Sequence, residues 1–180
     1  MIRAGRAAVE RFDRTVDDAF DSLRGIPPVD RVLYSLSELG DFSLIWHIAS
    51  ATIAVGGGER GERRALRLST ALAVESVLVN GVLKSFTRRS RPEIATERPH
   101  TLRTPRTSSF PSGHASSAAC ATVLLCDRAG PVERVAWTTL ATLVAASRVH
   151  VRIHHASDVV GGVVVGTALG IAVRRRWPLR

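Results

Sequence analysis

Cysteine, lysine and aromatic residues are all scarce in this sequence of 180 residues. The two cysteines, Cys120 and Cys126, lie in an apolar run and form no Cys-x-x-Cys pair, so a disulfide framework is not expected. Aromatic residues make up only 5%, too few for the stacked aromatic surface of a single-strand nucleic-acid binder. These shortages exclude a disulfide-stabilised scaffold and argue against nucleic acid as a partner.

The chain is strongly basic. Lys and Arg number 25 against 16 Asp and Glu, which gives a formal net charge of +9. Such a balance suits a phosphate-bearing partner or an anionic membrane surface. Lys84 is the single lysine of the sequence. Because a compact ammonium and a planar guanidinium are not interchangeable at a tight site, this lysine is a candidate functional residue.

The N-terminal residues 1–24 have the pattern of an amphipathic helix. Apolar side chains recur at helical spacing along one face, from Phe12 to Leu23. Charged residues interrupt the segment throughout, so a secretory signal peptide is not expected. A helix of this kind lies on a membrane surface or packs against the rest of the protein. We predict that residues 1–28 form this helix and that residues 29–180 form the core.

Hydrophobic residues make up 45% of the chain and are concentrated in five segments. Each segment is shorter than the roughly 20 residues of a spanning helix, but flanking Ser, Thr and Gly extend most of them toward that length. Their small residues suit close helix packing in a bilayer. We therefore predict an all-α integral membrane bundle with about five spanning helices plus the N-terminal amphipathic helix. The segments are residues 42–57, 68–86, 115–126, 135–149 and 159–173.

Charge placement predicts the orientation of this bundle in the cell membrane. The Arg-rich loop 58–67 and tail 174–180 fall on one side of a five-span arrangement, which the positive-inside rule makes cytoplasmic. Segments 87–111 and 147–158 then share the outer face. Segment 87–111 is also Arg-rich, against the rule, which indicates a function for its basic residues.

Polar clusters flank the apolar segments on that outer face. Lys84, Arg91 and Arg148 offer fixed cations, an arrangement suited to a phosphoryl dianion. Ser112 and Gly113 begin a predicted helix, where a hydroxyl and backbone N–H groups form an anion cradle. The sequence therefore predicts an anion site, with a phosphoryl group as the obvious occupant.

Two histidines accompany these groups. His154 and Asp158 are four residues apart, so they share a face of a helical turn. A carboxylate bonded to one imidazole nitrogen fixes the tautomer and leaves the other nitrogen free to attack. His114 can then protonate the leaving oxygen. This pattern indicates phosphoryl transfer through a nucleophilic histidine.

Taken together, these residues resemble the three-part signature of the type 2 phosphatidic acid phosphatase superfamily. Every specified position matches in order, and the signature covers residues 84–158 of the chain. The three parts occur here as Lys84-x6-Arg91-Pro92, Pro111-Ser112-Gly113-His114 and Ser147-Arg148-x5-His154-x3-Asp158.

The resemblance implies a metal-independent phosphatase with a six-helix core, no cofactor and a phosphohistidine intermediate. It implies that His154 is the nucleophile, that Asp158 orients it, and that His114 is the general acid and later helps to activate water. It assigns the phosphoryl oxygens to a further set of residues: Lys84, Arg91, Ser112, Gly113 and Arg148.

Further basic residues surround this predicted site. Arg152 stands where the family has a Gly-containing turn, and could contact a second phosphate or a lipid headgroup. His155 and His150 are expected to support the catalytic residues or to stack nearby. Other side chains of the long loop could gather an anionic substrate, although solvated charge is the expectation for each singly. They are His100, Arg88, Arg89, Arg98, Arg103 and Arg106.

The implied substrate is a lipid phosphate within the membrane. The candidates are a polyprenyl phosphate or pyrophosphate, phosphatidic acid, phosphatidylglycerol phosphate and a polyprenyl-linked sugar phosphate. Two alternatives remain at this point. One is a relative of the soluble acid phosphatases or vanadate haloperoxidases, which resemble the same signature. The other is a non-enzymatic basic protein that binds acidic membranes, which leaves the histidine pair unexplained.

Overall fold

The computed structural model of the protein describes residues 2–93, 102–103 and 107–179. Within these ranges the chain is helical and contains no strand, so the predicted all-α class is confirmed; most helices are joined by short turns, and a longer connection runs between residues 85 and 113. Of the loop residues considered above, Arg98, His100 and Arg106 lie outside the described residues. The helices are α1 (Ile2–Asp21), α2 (Pro27–Leu39), α3 (Leu44–Gly56), α4 (Gly58–Ser76), α5 (Gly113–Leu125), α6 (Pro131–His150) and α7 (Ala156–Arg176).

Two stretches are long and apolar enough to cross a membrane. One is α7, and the other is α4 together with its π-helical and 3₁₀ continuation, Gly58–Ser85. Helices α2 and α3 would add a third span if counted as one, although they are bent by 70° at the break between them. Helix α5 has 13 residues, and α6 contains three charged residues. Five spans therefore remain a prediction.

Helix α4 begins ten residues earlier than the apolar pattern indicated. The prediction of a loop at residues 58–67 is wrong, because this Arg-rich stretch is the first half of α4. Glu59 and Arg63 form an i,i+4 ion pair of 3.0 Å on its exposed side. Arg67 is buried, donates to the carbonyl oxygen of Leu124 and pairs with Asp127 at 2.8 Å. A hydropathy pattern does not record the helical spacing of charged residues, so it placed the start of α4 too late in the sequence.

Helices α5 and α7 are in backbone contact along their length. Gly162, Gly166 and Gly170 recur every fourth residue on the face of α7 that meets α5. A β-carbon at Gly166 would lie 2.0 Å from the carbonyl oxygen of Ser116. At the head of the pair, the backbone N–H of Ser112 donates to the carbonyl oxygen of Asp158 at 3.0 Å. This packing sets the register between the second and third signature clusters.

Helix α1 occupies the predicted N-terminal segment and packs against the protein. Just after it, Arg24 donates to the carbonyl oxygens of Val149 and His150, each at 2.9 Å, at the end of α6. The apolar face of α1, including Phe12 and Phe20, lines an apolar groove together with α5, α6 and α7. Helix α1 is thereby held beside the helix ends that carry the signature. The division of the chain into residues 1–28 and 29–180 stays a prediction.

Candidate active site

The signature residues meet where α5 and α7 begin and α6 ends. His154 is centrally placed. Its Nδ1 lies 3.6 Å from Oδ2 of Asp158, and its Nε2 lies 3.4 Å from Nη1 of Arg91. With the backbone hydrogen bond from Ser112 to Asp158, these contacts bring residues of all three clusters together, although their separations in sequence are large.

The protonation of His154 follows from these neighbours. The side chain is 3% exposed, and burial lowers its pKa to about 3, with the positive charges of Arg148 and Arg91 acting in the same direction. The ring is therefore neutral near pH 7. Because Arg91 offers an N–H to Nε2 and Asp158 offers an oxygen toward Nδ1, the contacts favour a hydrogen on Nδ1 and a lone pair on Nε2.

Both carboxylate oxygens of Asp158 have partners. Oδ2 accepts the backbone N–H of His155 at 2.9 Å and also faces His154. Oδ1 accepts a hydrogen bond from Nη1 of Arg89 at 2.7 Å. The Asp158 side chain is fully buried. Its orientation is thus set from two sides, at the N-terminal end of α7 where a negative charge is favoured.

His114 and Arg148 meet at Ser37 of α2. Arg148 is buried and donates to the hydroxyl and the carbonyl oxygen of Ser37. The Nε2 of His114 donates to the same carbonyl oxygen at 3.0 Å and lies 3.3 Å from Oδ1 of Asp41. The general acid and the Arg148 cation of the prediction are therefore held side by side against α2.

Lys84 reaches the start of α5 through Asn80. It is buried, and its Nζ donates to Oδ1 of Asn80 at 2.9 Å. The same oxygen would be 3.1 Å from a β-carbon on Gly113, so a side chain at that position would crowd the amide. Ser112 caps α5 by accepting the N–H of Ala115 at 3.5 Å, and its hydroxyl keeps a hydrogen to donate.

The three residues predicted to surround the site have different positions in the structure. Arg152 pairs with Asp21 of α1 at 2.7 Å, and its contact with a second phosphate or a lipid headgroup stays a prediction. Its φ of 51° lies in the left-handed region, which explains why glycine suits this turn. His150 is buried, bonds Asp30 at 2.7 Å and makes edge contacts with aromatic rings. His155 directly precedes α7, and its backbone N–H donates to Asp158, as described above.

Sequence reasoning missed four residues that are connected to the predicted site. Ser37, Asn80 and Arg89 bond its members directly, and Asp13 is joined to it through Arg89. Arg89 was expected to be solvated, yet it bonds a fully buried carboxylate. Asn80 had one available signal, because it lies four residues before Lys84 on the same helical face. Asp13 and Ser37 had none, because their contacts are made across more than 70 residues of sequence.

A cavity of about 900 Å³ opens beside His154. Its walls come from α1 and from the segment that follows α4, and they mix basic with acidic side chains. They include Arg6, Glu10, Arg14, Arg88 and Glu93. Within the described ranges, no three or more His, Cys, Asp and Glu residues are grouped so as to hold a metal ion.

The fold and the site together define a helical membrane protein with a buried histidine–carboxylate pair beside arginines and a lysine. The chain belongs to the PAP2 superfamily, whose family model matches residues 64–180. The expected family membership is confirmed, and the match includes all three signature clusters.

Individual relatives agree with this assignment. The chain is 32% identical over 142 residues to a decaprenylphosphoryl-5-phosphoribose phosphatase of Mycobacterium tuberculosis, which covers 77% of this chain and 75% of the relative. The crystal structure of a transmembrane PAP2 type phosphatidylglycerolphosphate phosphatase from Bacillus subtilis matches with a TM-score of 0.69 and 26% identity, covering 94% of this chain and 86% of that one. LpxE of Aquifex aeolicus shares the fold, with a TM-score of 0.72, 22% identity and coverage of 92% and 93%.

Proposed function

We propose that this protein is a membrane phosphatase that removes phosphate from a lipid phosphate through a phosphohistidine on His154. One observation carries the proposal: a neutral, buried imidazole has its Nε2 beside Arg91 and its Nδ1 toward Asp158. An unprotonated nitrogen that faces a guanidinium is suited to attack a phosphorus atom held by that guanidinium.

In the first step, Nε2 of His154 forms a bond to phosphorus, and the bond from phosphorus to the lipid oxygen breaks. His114 gives a proton to the departing oxygen, and Asp158 stabilises the positive charge that develops on the His154 ring. In the second step, His114 takes a proton from the attacking water as the water oxygen bonds to phosphorus, and the nitrogen–phosphorus bond breaks, which releases inorganic phosphate and restores both histidines. Lys84, Arg91, Ser112, Gly113 and Arg148 are proposed to hold the phosphoryl oxygens throughout.

We propose a polyprenyl-linked sugar phosphate as the substrate. The Mycobacterium tuberculosis relative is named for such a compound. The cavity beside His154 suits a phosphorylated sugar, because its arginines can pair with a second phosphate and its carboxylates can accept sugar hydroxyls. The lipid chain would stay in the bilayer, and we place this site at the outer face of the cell membrane.

A substrate panel tests this proposal. Purified in detergent, the protein should release phosphate from a polyprenyl-linked sugar phosphate, and EDTA should leave the rate unchanged because the steps above need no metal ion. The panel also holds a polyprenyl monophosphate, a polyprenyl pyrophosphate, phosphatidic acid, phosphatidylglycerol phosphate and a soluble monoester. Activity that requires added metal would contradict the mechanism. Preference for another lipid would contradict the substrate, and preference for the soluble monoester would favour the soluble acid phosphatase alternative.

Lys84→Arg should lower kcat/KM by about 10²-fold, because a guanidinium cannot occupy the buried ammonium position next to Asn80 without displacing the bound phosphate by about 1 Å. The measurement is phosphate release from the best lipid of the panel. Arg60→Lys on the exposed surface of α4 is the matched control and should have wild-type activity. Equal activity in the two variants would remove Lys84 from the phosphate site.

A further inference from the structure

We propose that Arg89 and Asp13 are positioning residues for the reaction, and that α1 is therefore part of the catalytic apparatus. Their role would be to hold the Asp158 carboxylate in the orientation that His154 requires. The inference rests on the proposed function and extends it to residues outside the three-part signature.

Arg89 bridges two carboxylates with its guanidinium fork. Nη1 donates to Oδ1 of Asp158 at 2.7 Å, and Nη2 donates to Oδ2 of Asp13 at 2.5 Å. Nη1 also lies 2.7 Å from the hydroxyl of Ser157. A planar fork can hold two carboxylates in a fixed relation, which a lysine ammonium cannot do.

Asp13 anchors the other end of this bridge to α7. Its Oδ1 accepts the backbone N–H of Ser157 at 2.8 Å, and its Oδ2 accepts the Ser157 hydroxyl at 2.9 Å. Ser157 lies in the first turn of α7, where backbone N–H groups have no partner within the helix. A carboxylate from α1 thus satisfies the residue that directly precedes Asp158.

The exposed fractions distinguish this network from a surface salt bridge. The side chain of Asp13 is 7% exposed, that of Arg89 is 28% exposed and that of Asp158 is fully buried. Charges held this far from water are weakly screened, and each carboxylate would be left without its cation if Arg89 were removed. Removal of one partner from an exposed ion pair would cost little by comparison.

The two carboxylate oxygens of Asp158 have different partners, and this difference matters for the reaction. Arg89 holds Oδ1, which leaves Oδ2 directed at Nδ1 of His154. Without Arg89, the carboxylate can rotate, and the 3.6 Å approach of Oδ2 to Nδ1, which favours a hydrogen on that nitrogen, is no longer fixed. Active-site groups need orientation within roughly 10–20° of the productive geometry, and such supporting contacts provide it.

Arg89→Met should lower kcat by roughly 10–100-fold, the range typical of lost supporting contacts, while KM changes little because the phosphate ligands remain. Arg89→Lys should recover part of kcat, since an ammonium can pair with one carboxylate but not bridge both. The measurement is steady-state phosphate release from the best lipid of the panel. Arg60→Met on α4 is the matched control. A raised KM with unchanged kcat would assign Arg89 to substrate binding and overturn the proposal.

The pairing of Arg89 with Asp13 gives a second, independent outcome. Asp13→Asn should also lower kcat, and the double variant should be no slower than Arg89→Met, because both changes break one connection. Glu62→Gln, an exposed position on α4, is the control for loss of a carboxylate. Additive effects would mean that Asp13 and Arg89 act separately. Ser157→Ala removes only a hydroxyl from the network and should give a smaller loss of kcat in a folded protein.

Nitrogen NMR of histidine-labelled protein in detergent tests the same inference and does not depend on substrate turnover. The His154 signal, assigned by its loss in His154→Ala, should report the Nδ1–H tautomer in the wild type and a mixture in Arg89→Met. An unchanged tautomer in Arg89→Met would overturn the inference. Absence of phosphate release from every lipid by the wild type would instead defeat the proposed function, and the NMR result would still decide the role of Arg89.

Discussion

His154→Ala should abolish phosphate release, with a fall in kcat of more than about 10³-fold, because no other group in the proposed mechanism can bond to phosphorus. The variant should still fold and bind inorganic phosphate, since the cations of the site remain in place. Turnover is measured with the best lipid of the panel, and phosphate binding by competition or calorimetry.

A trapping experiment adds a chemical signature to this prediction. Wild-type protein quenched during turnover of a labelled substrate should carry phosphate that is stable in base and lost in acid, as expected for a nitrogen–phosphorus bond. His154→Ala should carry none. His47→Ala, which changes an exposed histidine on α3, should behave as the wild type. Turnover by His154→Ala at the wild-type rate would exclude the phosphohistidine mechanism.

Gly166→Ala adds a single methyl group and should lower both the stability and the activity of the protein. The added β-carbon would lie 2.0 Å from the carbonyl oxygen and 2.7 Å from the carbonyl carbon of Ser116, so α5 and α7 must move apart. Overpacking of this kind destabilises by about 1–3 kcal/mol. Helix α5 carries His114 and α7 carries Asp158, so a shift of about 1 Å between them should also lower activity by about 10²-fold.

The test compares thermal unfolding and phosphate release with those of Gly56→Ala. Gly56 is also helical, but a β-carbon there would meet nothing within 4 Å. Alanine is the better helix former, by about 1 kcal/mol per residue, so this control should be neutral or slightly stabilised. If Gly166→Ala matched the control in both measurements, close packing of α5 on α7 would not be needed for the site.

The sequence predicted the helical class, the N-terminal amphipathic helix and the residues that meet at the candidate site. Those inferences were available because each depends on local spacing, such as the four residues between His154 and Asp158. The start of α4 was misjudged for a related reason. Residues 58–67 are too polar for an apolar pattern, yet they form a helix whose Arg67 is buried against α5.

The contacts that hold the site were not predictable in the same way. Arg88 and Arg89 are neighbours in one basic run. Only the structure shows that Arg88 is exposed whereas Arg89 bonds Asp158. The partner of Arg89 on α1 lies 76 residues away in sequence. Composition and spacing do not encode which of several arginines meets a given carboxylate, because that depends on how distant helices dock.

The docking of α1 also matters for the design of fragments and chimaeras of this protein. The superfamily match begins at residue 64, but a carboxylate from residue 13 reaches the first turn of α7. An excised fragment limited to the matched region would therefore expose Arg89 and Ser157 to water. If Asp13 and Arg89 act as proposed, exchange of α1 with the corresponding segment of a relative should alter the rate of the chemical step. On that proposal, the N-terminal helix is a part of the protein through which the rate of the reaction could be changed without altering the signature residues.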